Sequence, residues 1–354
     1  MTTQTATRKR VFWFDDGKRP NVADSLARCS DITVHRLAFD GPRDDNWSAM
    51  SASHVYCITS ARHEVPDEYK CGAALIKRCP DLLAVSTTGA GYDTVDVAAC
   101  NAAGVLIVNQ AGANAEAVAE HAVAMMLALA KNIPRTDHSL RTERGVGREA
   151  FKGWDARGRT IGLIGIGNVG RRMARICGKG LEMRVLAYDP YVSRAECEAR
   201  GAEKVDDLQD LLRQSWTLSI HCPLTDETRD MIAAPQLAAL PKGAYVLTTA
   251  RGGIVNERAL EEALQCGHVA GAGLDVWVQE PPPLDHPLLK RSDIIATYHT
   301  AGVTYDSRIA MADWNAEQVA GILRGERPPR LINPEAWPRY VARFERVFGY
   351  RPRG

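Results

Sequence analysis

A glycine-rich turn in the middle of the chain restricts the fold more than any other feature. It is a G-x-G-x-x-G pattern, which follows the apolar run TIGLIG and opens the helix-like stretch NVGRRMARICGKG. In such a pattern the first glycine permits a tight turn, the second lets the backbone approach a pyrophosphate, and the third lets helix and strand pack closely. The N-terminus of the following helix favours the phosphate charge. The residues predicted to form this dinucleotide-binding turn are Gly165, Gly167, Asn168, Val169 and Gly170.

Two series of short apolar runs, separated by stretches of helical length, predict two α/β domains with doubly wound, Rossmann-like or flavodoxin-like parallel sheets. A length of 354 residues suits two domains. The first series comprises VFWF from Val11, TVHRLAF from Thr33, HVYCIT from His54, LLAVSTTG from Leu82 and VLIVNQ from Val105. The second comprises TIGLIG from Thr160, RVLAYD from Arg184, LSIHC from Leu218, YVLTTA from Tyr245, AGLDV from Ala272 and IIATYH from Ile295.

Three further stretches predict helices. ANAEAVAEHAVAMMLALAKNIP begins with Asn114 as a predicted N-cap and is apolar on nearly every face, which favours a position between two domains or two subunits. Within it, His121 is interpreted as a buried, hydrogen-bonded histidine. A second helix is predicted around Ser307 to Leu323. The arginine-rich tail suggests either an anion-binding or nucleic-acid-binding segment or a short amphipathic helix packed on its own domain or on a partner subunit, and we favour the helix.

Charge and cysteine usage exclude several classes of function. The net charge of +1 gives no general attraction to nucleic acid or to an anionic membrane. The nine cysteines include no C-x-x-C pair, which argues against a disulfide framework or a zinc site and fits a reducing cytoplasm. We expect no metal, no signal peptide and no membrane-spanning segment, because no apolar run approaches the ~18 residues that a span needs.

An acidic residue at the end of the second strand of this series indicates the cofactor. Asp189 closes RVLAYD, 19 residues after Gly170. A carboxylate in this position accepts the ribose hydroxyls and repels a 2′-phosphate, which favours NAD over NADP. Alternatively, Asp189 only ends a strand before Pro190. Arg194 lies nearby in the sequence and leaves the strictness of the preference open.

Three ionisable residues follow strands of the second series: Arg251, Glu280 and His299. Ligands bind beyond the carboxyl ends of the strands in open α/β sheets, so these side chains are expected at one edge beside the cofactor. A guanidinium binds a carboxylate, an imidazole transfers a proton near neutral pH, and a carboxylate orients the imidazole. Each residue alone has a structural interpretation, as a surface ion pair, a loop residue or a satisfied polar group. Together they predict hydride transfer to a 2-oxo acid.

Seven stretches, spanning about residues 80 to 305, resemble the D-isomer-specific 2-hydroxyacid dehydrogenases, a family that includes phosphoglycerate, glycerate/hydroxypyruvate, glyoxylate, formate and phosphite dehydrogenases. The order and spacing of these stretches are highly specific. They are GAGYDTVDV from Gly89, GANAEAVAEHAVAMMLALAK from Gly112, GLIGIGNVG, HCPLTDETR from His221, TARGGIVNERAL from Thr249, GAGLDVWVQEPP from Gly271 and HTAG from His299.

The resemblance implies roles for particular residues. Arg251 matches the substrate-binding arginine, His299 the acid/base and Glu280 its paired carboxylate, while Asp275 matches the residue that holds the nicotinamide carboxamide. The other implied cofactor contacts are Cys222 and Pro223 on the adenine side and Thr249 and Ala250 near the nicotinamide. The implied substrate contacts are backbone N–H groups around Gly89, Ala90 and Gly91, together with Ser60 and Arg62.

The resemblance also implies a domain arrangement. Residues 1–112, completed by 306–354, are expected to form a substrate-binding domain, and 113–305 an NAD-binding domain, with the reaction in a cleft between them. The helix from Asn114 resembles the family's interdomain and dimer-forming element, so a homodimer is expected. Two positions depart from the family pattern: Tyr298 stands where proline is frequent, and Trp277 where a smaller aromatic is usual.

The resulting prediction is an NAD-dependent oxidoreductase that interconverts a small D-2-hydroxy acid and its 2-oxo acid, with His299 as acid/base. The substrate within this class stays open, because Arg62 indicates either an additional anionic group or only a solvated loop. The alternative function is an NAD-sensing interaction protein, similar to the corepressors that share this fold and these catalytic residues.

Overall fold

The computed structural model describes residues 8–15, 22–60 and 64–353. Two compact units make up the chain, one formed by Met1–Asn114 with Thr304–Gly354 and the other by Ala115–Val303. We call them the first and the second unit. Among the described residues, no helix combines the length and the apolar character needed to cross a membrane.

The first unit is built on a parallel five-stranded sheet in the order β2-β1-β3-β4-β5. All five apolar runs of the first series form its strands, which are β1 Lys9–Phe14, β2 Ile32–Leu37, β3 Val55–Ile58, β4 Ala84–Thr87 and β5 Leu106–Val108. Its helices are α1 Val22–Ala27, α2 Arg43–Ser51, α3 Ala73–Arg78, α4 Val97–Ala103, α12 Tyr305–Leu323 and α13 Trp337–Phe348. Short 3-10 helices occupy Asp67–Tyr69 and Pro334–Ala336.

The second unit contains a parallel seven-stranded sheet in the order β12-β11-β10-β9-β6-β7-β8. Its strands are β6 Thr160–Ile164, β7 Arg184–Tyr188, β8 Glu203–Lys204, β9 Thr217–Ile220, β10 Ala244–Thr248, β11 Val269–Leu274 and β12 Ile294–Ala296. Its α-helices are α5 Ala115–Ala130, α6 Ile133–Thr142, α7 Asn168–Arg175, α8 Arg194–Ala199, α9 Leu208–Gln214, α10 Ala234–Ala239 and α11 Glu257–Gln265. A π-helical turn, Ile176–Gly180, follows α7, and 3-10 helices occupy Arg148–Phe151 and Pro287–Lys290.

These sheets confirm the predicted pair of α/β domains, with one correction. The second series was expected to supply six strands, but the sheet has seven. The additional strand, β8, is only Glu203–Lys204 at the sheet edge. Two charged residues at an edge bury little surface, so they leave no apolar run in the sequence. The order from β8 to β11 is the doubly wound order in which the chain reverses direction between β6 and β9.

The long apolar helix begins at Ala115, directly after the predicted N-cap, and ends at Ala130. Its buried positions recur every three or four residues and lie on one side of the helix, where several of them join the core on one face of the second sheet. Glu120 and Ala124, on the opposite side, are exposed, so burial on nearly every face is not found within this chain. Pro134 does not simply follow the helix end, as expected. It lies in the first turn of the next helix, α6, where a proline is tolerated because its missing N–H has no intrahelical partner.

The tail forms the predicted amphipathic helix, α13. Tyr340 and Phe344 are fully buried in the core of the first unit, where Trp337 and Val347 pack against them partly buried. Helix α12 also matches its prediction. It begins at Tyr305, with Thr304 as N-cap accepting a hydrogen bond from the Ser307 N–H.

One arginine of α13, Arg343, has a structural role. The guanidinium of Arg343 donates hydrogen bonds to the carbonyl oxygens of Leu82 (2.6 Å), Ala103 (3.3 Å) and Cys79 (3.3 Å). Burial lowers the pKa of Arg343 from its usual value, as expected for a cation taken out of water. One side chain therefore ties α13 to the ends of α3 and α4 and to the entry of β4.

Replacement of this arginine by an apolar side chain of similar length is expected to destabilise the first unit. In Arg343→Met three carbonyl oxygens lose a charged donor, which should lower the free energy of unfolding by about 2 kcal/mol, measured by urea unfolding. Arg339→Met on the same helix is the matched control, because Arg339 is exposed and its Nη1 donates one long hydrogen bond of 3.5 Å among the described residues, to the Asn101 carbonyl. Equal stability of the two variants would contradict the structural role.

Candidate active site

The glycine-rich turn connects β6 to α7 and is held on both sides by its neighbours. The Gly165 N–H donates to the Tyr188 carbonyl (2.9 Å), and the Ile166 N–H donates to the Asp189 carboxylate (3.0 Å). The Ile166 carbonyl accepts a hydrogen bond from Arg200 Nη1 (2.9 Å). The turn is therefore fixed by strand β7 and by the end of α8.

The glycines occupy positions that the predicted roles require. Gly165 has a φ of 87°, in the region that favours glycine. A Cβ on Gly170 would lie 2.2 Å from the Gly165 carbonyl oxygen, so only glycine allows helix and strand to approach this closely. A Cβ on Gly167 would meet no atom within 4 Å, and the backbone there borders open space. Asn168 and Val169 form the first turn of α7.

Asp189 lies just beyond the end of β7 with its carboxylate already oriented. One oxygen accepts from Ile166 N–H and the other from Tyr191 N–H (3.0 Å). Arg194, which left the cofactor preference open, pairs instead with Asp206 (2.7 Å) and with the Lys204 carbonyl (3.0 Å). The Arg194 guanidinium is thus paired with Asp206 and not with the Asp189 carboxylate.

Cys222 and Pro223 follow β9, the strand beside β6. Backbone atoms of His221 and Cys222 lie 3.1 Å from where a Cβ on Gly165 would be, so the glycine turn and this segment are in direct contact. Burial raises the pKa of the Cys222 thiol to about 11 and lowers the pKa of the neighbouring His221 to about 4. Both groups are therefore neutral at physiological pH, and neither supplies charge to this side of the site.

The residues after β10 leave a polar atom without a partner. Thr249 is 8% exposed, and its Oγ1 has no hydrogen-bond partner among the described residues. Such orphaned buried hydroxyls are costly unless a ligand or water satisfies them. Ala250 follows at the same edge, and its carbonyl accepts a hydrogen bond from Arg251 Nη1 (2.7 Å).

These features fit a dinucleotide. The open space beside Gly167, the helix N-terminus of α7 and the oriented carboxylate of Asp189 match a pyrophosphate and an adenosine ribose without 2′-phosphate. The unpartnered Thr249 hydroxyl lies just beyond β10, at the same edge of the sheet as the glycine turn.

Two of the three predicted catalytic side chains, His299 and Glu280, form a pair in the second unit, and Arg251 follows β10 in the same unit. His299 Nδ1 lies 2.9 Å from Glu280 Oε2, and the other oxygen of Glu280 accepts from the Trp277 N–H (3.1 Å). Burial raises the pKa of Glu280, but its hydrogen bond and charge pairing with His299 outweigh burial, and the net pKa is lowered. The charge of Arg251 lowers the pKa of Glu280 as well.

His299 lies on a tight turn that closes around Asp275. Its φ is 53°, which is unusual for a residue with a side chain. The His299 N–H donates to the Asp275 carbonyl (2.7 Å), and the next two N–H groups, of Thr300 and Ala301, donate to the Asp275 carboxylate (2.8 and 2.9 Å). Asp275 thus anchors the backbone that carries the histidine.

The carboxylate of Asp275 is occupied by hydrogen bonds within the protein. Its side chain is 0% exposed and also accepts a hydrogen bond from Thr297 Oγ1 (2.6 Å), which in turn lies 3.2 Å from Nε2 of half-buried His121. The role in carboxamide binding that the resemblance implies stays a prediction. His121 has the expected hydrogen-bonding partner but is only partly buried, because 26% of its side chain is exposed.

The two residues that depart from the family pattern, Trp277 and Tyr298, differ in burial. Trp277 is buried in the core of the second sheet, and its indole N–H donates to the Thr297 carbonyl (3.1 Å), so it supports the histidine turn from inside. Tyr298 is 77% exposed and directly precedes His299. Of the two, only Tyr298 presents its side chain to solvent beside the acid/base.

The predicted substrate contacts lie in the first unit, at the carboxyl ends of β3 and β4. Ser60 and Gly89 are adjacent, because a Cβ on Gly89 would lie 2.7 Å from Ser60 Oγ. Ala90 and Gly91 complete a turn whose carbonyl groups are hydrogen bonded inward. Arg62 lies outside the described residues.

Sequence reasoning missed the residues that hold these turns. Arg200 supports the glycine turn, Thr297 supports Asp275, and Asn109 supports the turn at Gly89. None belongs to a motif with fixed spacing. A buried amide such as Asn109, directly after the apolar run VLIV, is the one signal that the sequence offers, because buried amides require partners.

Comparison with known proteins agrees with this geometry. The family model described as D-isomer specific 2-hydroxyacid dehydrogenase, NAD binding domain, matches residues 123–301. A D-3-phosphoglycerate dehydrogenase from Archaeoglobus fulgidus is 40% identical over 76% of this chain and 50% of its own length. The chain thus spans about half the length of that relative. A glyoxylate reductase from Aeropyrum pernix is 36% identical over 89% of this chain and 93% of its own length.

A solved structure shows the same fold. The crystal structure of a D-lactate dehydrogenase from Aquifex aeolicus, complexed with NAD and lactic acid, has a TM-score of 0.73 and 25% identity, covering 90% of this chain and 96% of that chain. The sequence matches confirm the resemblance found in the seven stretches, and the matched family model is that of an NAD-binding domain. The chain belongs to the family of D-isomer-specific 2-hydroxyacid dehydrogenases.

Proposed function

We propose that the chain is an NAD-dependent oxidoreductase that interconverts a small D-2-hydroxy acid and its 2-oxo acid. The observation that carries this proposal is the 2.9 Å pair between His299 and Glu280, with Arg251 just after β10 in the same unit. The trio lies in the same unit as a glycine turn that fits a dinucleotide. An imidazole, its carboxylate and a guanidinium are the groups that carbonyl reduction requires.

His299 is the proposed acid/base. Because Nδ1 is paired with Glu280, Nε2 is the atom left to face the substrate. In the reducing direction protonated His299 donates the Nε2 proton to the carbonyl oxygen, and in the oxidising direction the neutral ring accepts it from the hydroxyl. Bound NADH supplies the hydride that C2 of the oxo acid receives. Glu280, kept ionised by its lowered pKa, stabilises the imidazolium and orients the ring.

Arg251 and the first unit are proposed to bind the substrate. The Arg251 guanidinium holds the carboxylate and polarises the adjacent carbonyl. Backbone N–H groups of the turn at Gly89, Ala90 and Gly91 receive the carboxylate, with Ser60 beside them. Arg62 is proposed to face the remainder of the substrate, and an anionic group there would fit its charge.

We assign substrate binding to residues 1–112 with 306–354 and NAD binding to residues 113–305. The proposed NAD contacts are Gly165, Gly167, Asn168, Val169, Gly170, Asp189, Cys222, Pro223, Thr249, Ala250 and Asp275. Because Arg194 is paired elsewhere, we propose a clear preference for NAD.

A homodimer in a reducing compartment such as the cytoplasm completes the proposal. Four large apolar side chains between residues 133 and 154 are exposed, which is typical of an interaction surface. They are Ile133, Leu140, Val146 and Trp154. The nine cysteines are all unpaired, which supports a reducing compartment. No observation supports the alternative function, an NAD-sensing interaction protein. The relatives described above are named as dehydrogenases and a reductase.

A panel of 2-oxo acids tests the proposal. Glyoxylate, hydroxypyruvate and phosphohydroxypyruvate are assayed with NADH and with NADPH, and at least one is expected to be reduced to the D-hydroxy acid, faster with NADH. A marked preference for phosphohydroxypyruvate would support a role for Arg62 as an anion contact, and equal rates with all three would remove it. NADH binding without turnover of a wider set of 2-oxo acids would contradict the proposed function.

A further inference from the structure

A cluster of buried amide side chains lies beneath the turn that is proposed to receive the substrate carboxylate. Asn109, Gln110 and Gln318 are 4%, 0% and 2% exposed, and all belong to the first unit. Amide side chains are rarely this buried, and burial is costly unless their hydrogen bonds are satisfied. Their partners therefore indicate why the chain keeps them.

Two of the three act directly on the turn. Asn109 Nδ2 donates to the Ala90 carbonyl oxygen at 2.7 Å. The Gln110 N–H donates to the Gly89 carbonyl at 2.9 Å, and Thr87 Oγ1 donates to the same oxygen at 3.2 Å. The carbonyl groups of both peptide units in the turn are thus drawn into the protein.

The orientation of the cluster is fixed from two sides. Gln110 Nε2 donates to the Thr87 carbonyl (3.0 Å) and to Ser86 Oγ (3.2 Å) at the end of β4. Gln318 Nε2, from α12, donates to the Asn109 carbonyl (2.9 Å) and to Gln110 Oε1 (2.9 Å). Since Gln110 accepts from Gln318 with its oxygen, its amide nitrogen must face β4. Gln318 Oε1 accepts a hydrogen bond from the Arg330 N–H (3.2 Å), which fixes the orientation of the Gln318 amide.

The planarity of the peptide bond converts these bonds into a direction for two donors. In a trans peptide unit the C=O of one residue and the N–H of the next point in opposite directions. A Gly89 carbonyl turned inward therefore turns the Ala90 N–H outward, and an inward Ala90 carbonyl does the same for the Gly91 N–H. Successive outward N–H groups form a concavity that binds anions.

We propose that Asn109 is a positioning residue, which, backed by Gln110 and Gln318, aims the Ala90 and Gly91 N–H groups at the substrate carboxylate. This inference rests on the proposed function, because the ligand is the carboxylate of the 2-oxo acid. Asn109 acts through the turn and does not itself contact the substrate.

Asn333 offers a matched control in the same unit. It is also fully buried, and its side chain binds backbone groups of β5 and the residue before it: Oδ1 accepts from the Ile107 N–H (2.7 Å) and Nδ2 donates to the Val105 carbonyl (3.0 Å). Asn109→Ala and Asn333→Ala therefore remove similar buried bonds. Only the first of them affects the turn.

The experiment combines kinetics with two measurements that need no turnover. In Asn109→Ala, KM for the preferred 2-oxo acid and the dissociation constant of oxalate, from the fluorescence of bound NADH, should rise by about tenfold, the effect of one hydrogen bond. The kcat and the NADH dissociation constant should stay within about threefold, and hydrogen exchange of residues 87–92 should become faster. Asn333→Ala should lower stability and leave all these values unchanged. Gln318→Met should shift KM and oxalate binding in the same direction as Asn109→Ala by a smaller factor, and serves if Asn109→Ala does not fold.

The outcomes separate the inference from the proposed function. Wild-type oxalate binding and KM in Asn109→Ala, or an equal change in Asn333→Ala, would overturn the positioning role even if the enzyme is fully active. If the wild type reduces no 2-oxo acid but binds oxalate more tightly than Asn109→Ala does, the turn is an anion site positioned by Asn109 and the proposed function fails. Absence of oxalate binding to the wild type with NADH would overturn the inference.

Discussion

His299→Gln is expected to lower kcat for the preferred 2-oxo acid by about 10²–10⁴-fold, the usual contribution of a general acid. Glutamine keeps a polar side chain of similar length beside Glu280 but holds no transferable proton at neutral pH. The glycine turn and Asp189 lie elsewhere on the sheet edge, so the dissociation constant of NADH should not change. The kcat is measured from the rate of NADH oxidation at saturating NADH and 2-oxo acid. The dissociation constant of NADH is measured by fluorescence titration.

His268→Gln is the matched control. His268 is a half-buried histidine of the same unit whose Nε2 lies 3.0 Å from the Leu240 carbonyl, after α10. Its replacement removes one hydrogen bond far from the pair of His299 and Glu280, so it should lower stability by about 1 kcal/mol and leave kcat unchanged. If His299→Gln retained the activity of this control on every 2-oxo acid that the wild type reduces, His299 would not be the acid/base.

The pairing of Glu280 with His299 sets the pH range over which the site keeps its charges. Burial alone would raise the pKa of Glu280, but the hydrogen bond to His299 reverses the net direction, so the carboxylate stays ionised below the usual pKa of a glutamate. The stabilisation that it gives is present at neutral pH and is lost as the pH falls through this lowered pKa. A carboxylate that stays charged in the working range keeps its contact with His299 Nδ1 and so orients the ring for proton transfer through Nε2.

The sequence predicted that Glu280 and His299 lie close together because parallel strands end at a common edge of the sheet, and they are 2.9 Å apart. The convergence of Arg251 with this pair stays a prediction. Topology alone brings together residues that are far apart in the chain. The same reasoning placed the glycine turn, Asp189 and Cys222 on neighbouring strands. Apolar runs predicted every strand with a buried face, and the tail helix followed from its spacing of aromatic residues.

What the sequence could not predict is the set of backbone conformations that the turns adopt. The positive φ of His299 follows from Asp275, which collects the N–H groups of Thr300 and Ala301. No pattern of side chains in the sequence predicts that this turn folds around Asp275, because the groups that bind its carboxylate include main-chain N–H groups. The position of Asn109 directly after VLIV indicates a buried amide that needs a partner, but the sequence does not show that this partner is the carbonyl of Ala90. Strand β8 buries too little surface to leave a signal.

Arg251→Lys is expected to lower kcat/KM for the 2-oxo acid by about 10²-fold or more, mainly through KM. Lysine keeps the positive charge but loses the planar fork that binds a carboxylate through two parallel hydrogen bonds. Loss of one partner in a desolvated charge pair costs about 2–5 kcal/mol, and each 1.4 kcal/mol is tenfold. Steady-state kinetics with varied 2-oxo acid at saturating NADH measures the change.

Arg251→Ala tests the same contact by chemical rescue. Added guanidinium ion should partly restore kcat/KM of Arg251→Ala, because the shortened side chain leaves room for the missing fork, and should not accelerate the wild type. Arg291→Lys is the matched control, since Arg291 forms a two-bond pair with Asp293 (2.8 and 2.7 Å) before β12, at the opposite end of the strand from His299. Its replacement removes a fork of the same geometry and should leave kcat/KM unchanged. A wild-type KM in Arg251→Lys, or equal losses in both lysine variants, would show that the guanidinium of Arg251 does not bind the substrate.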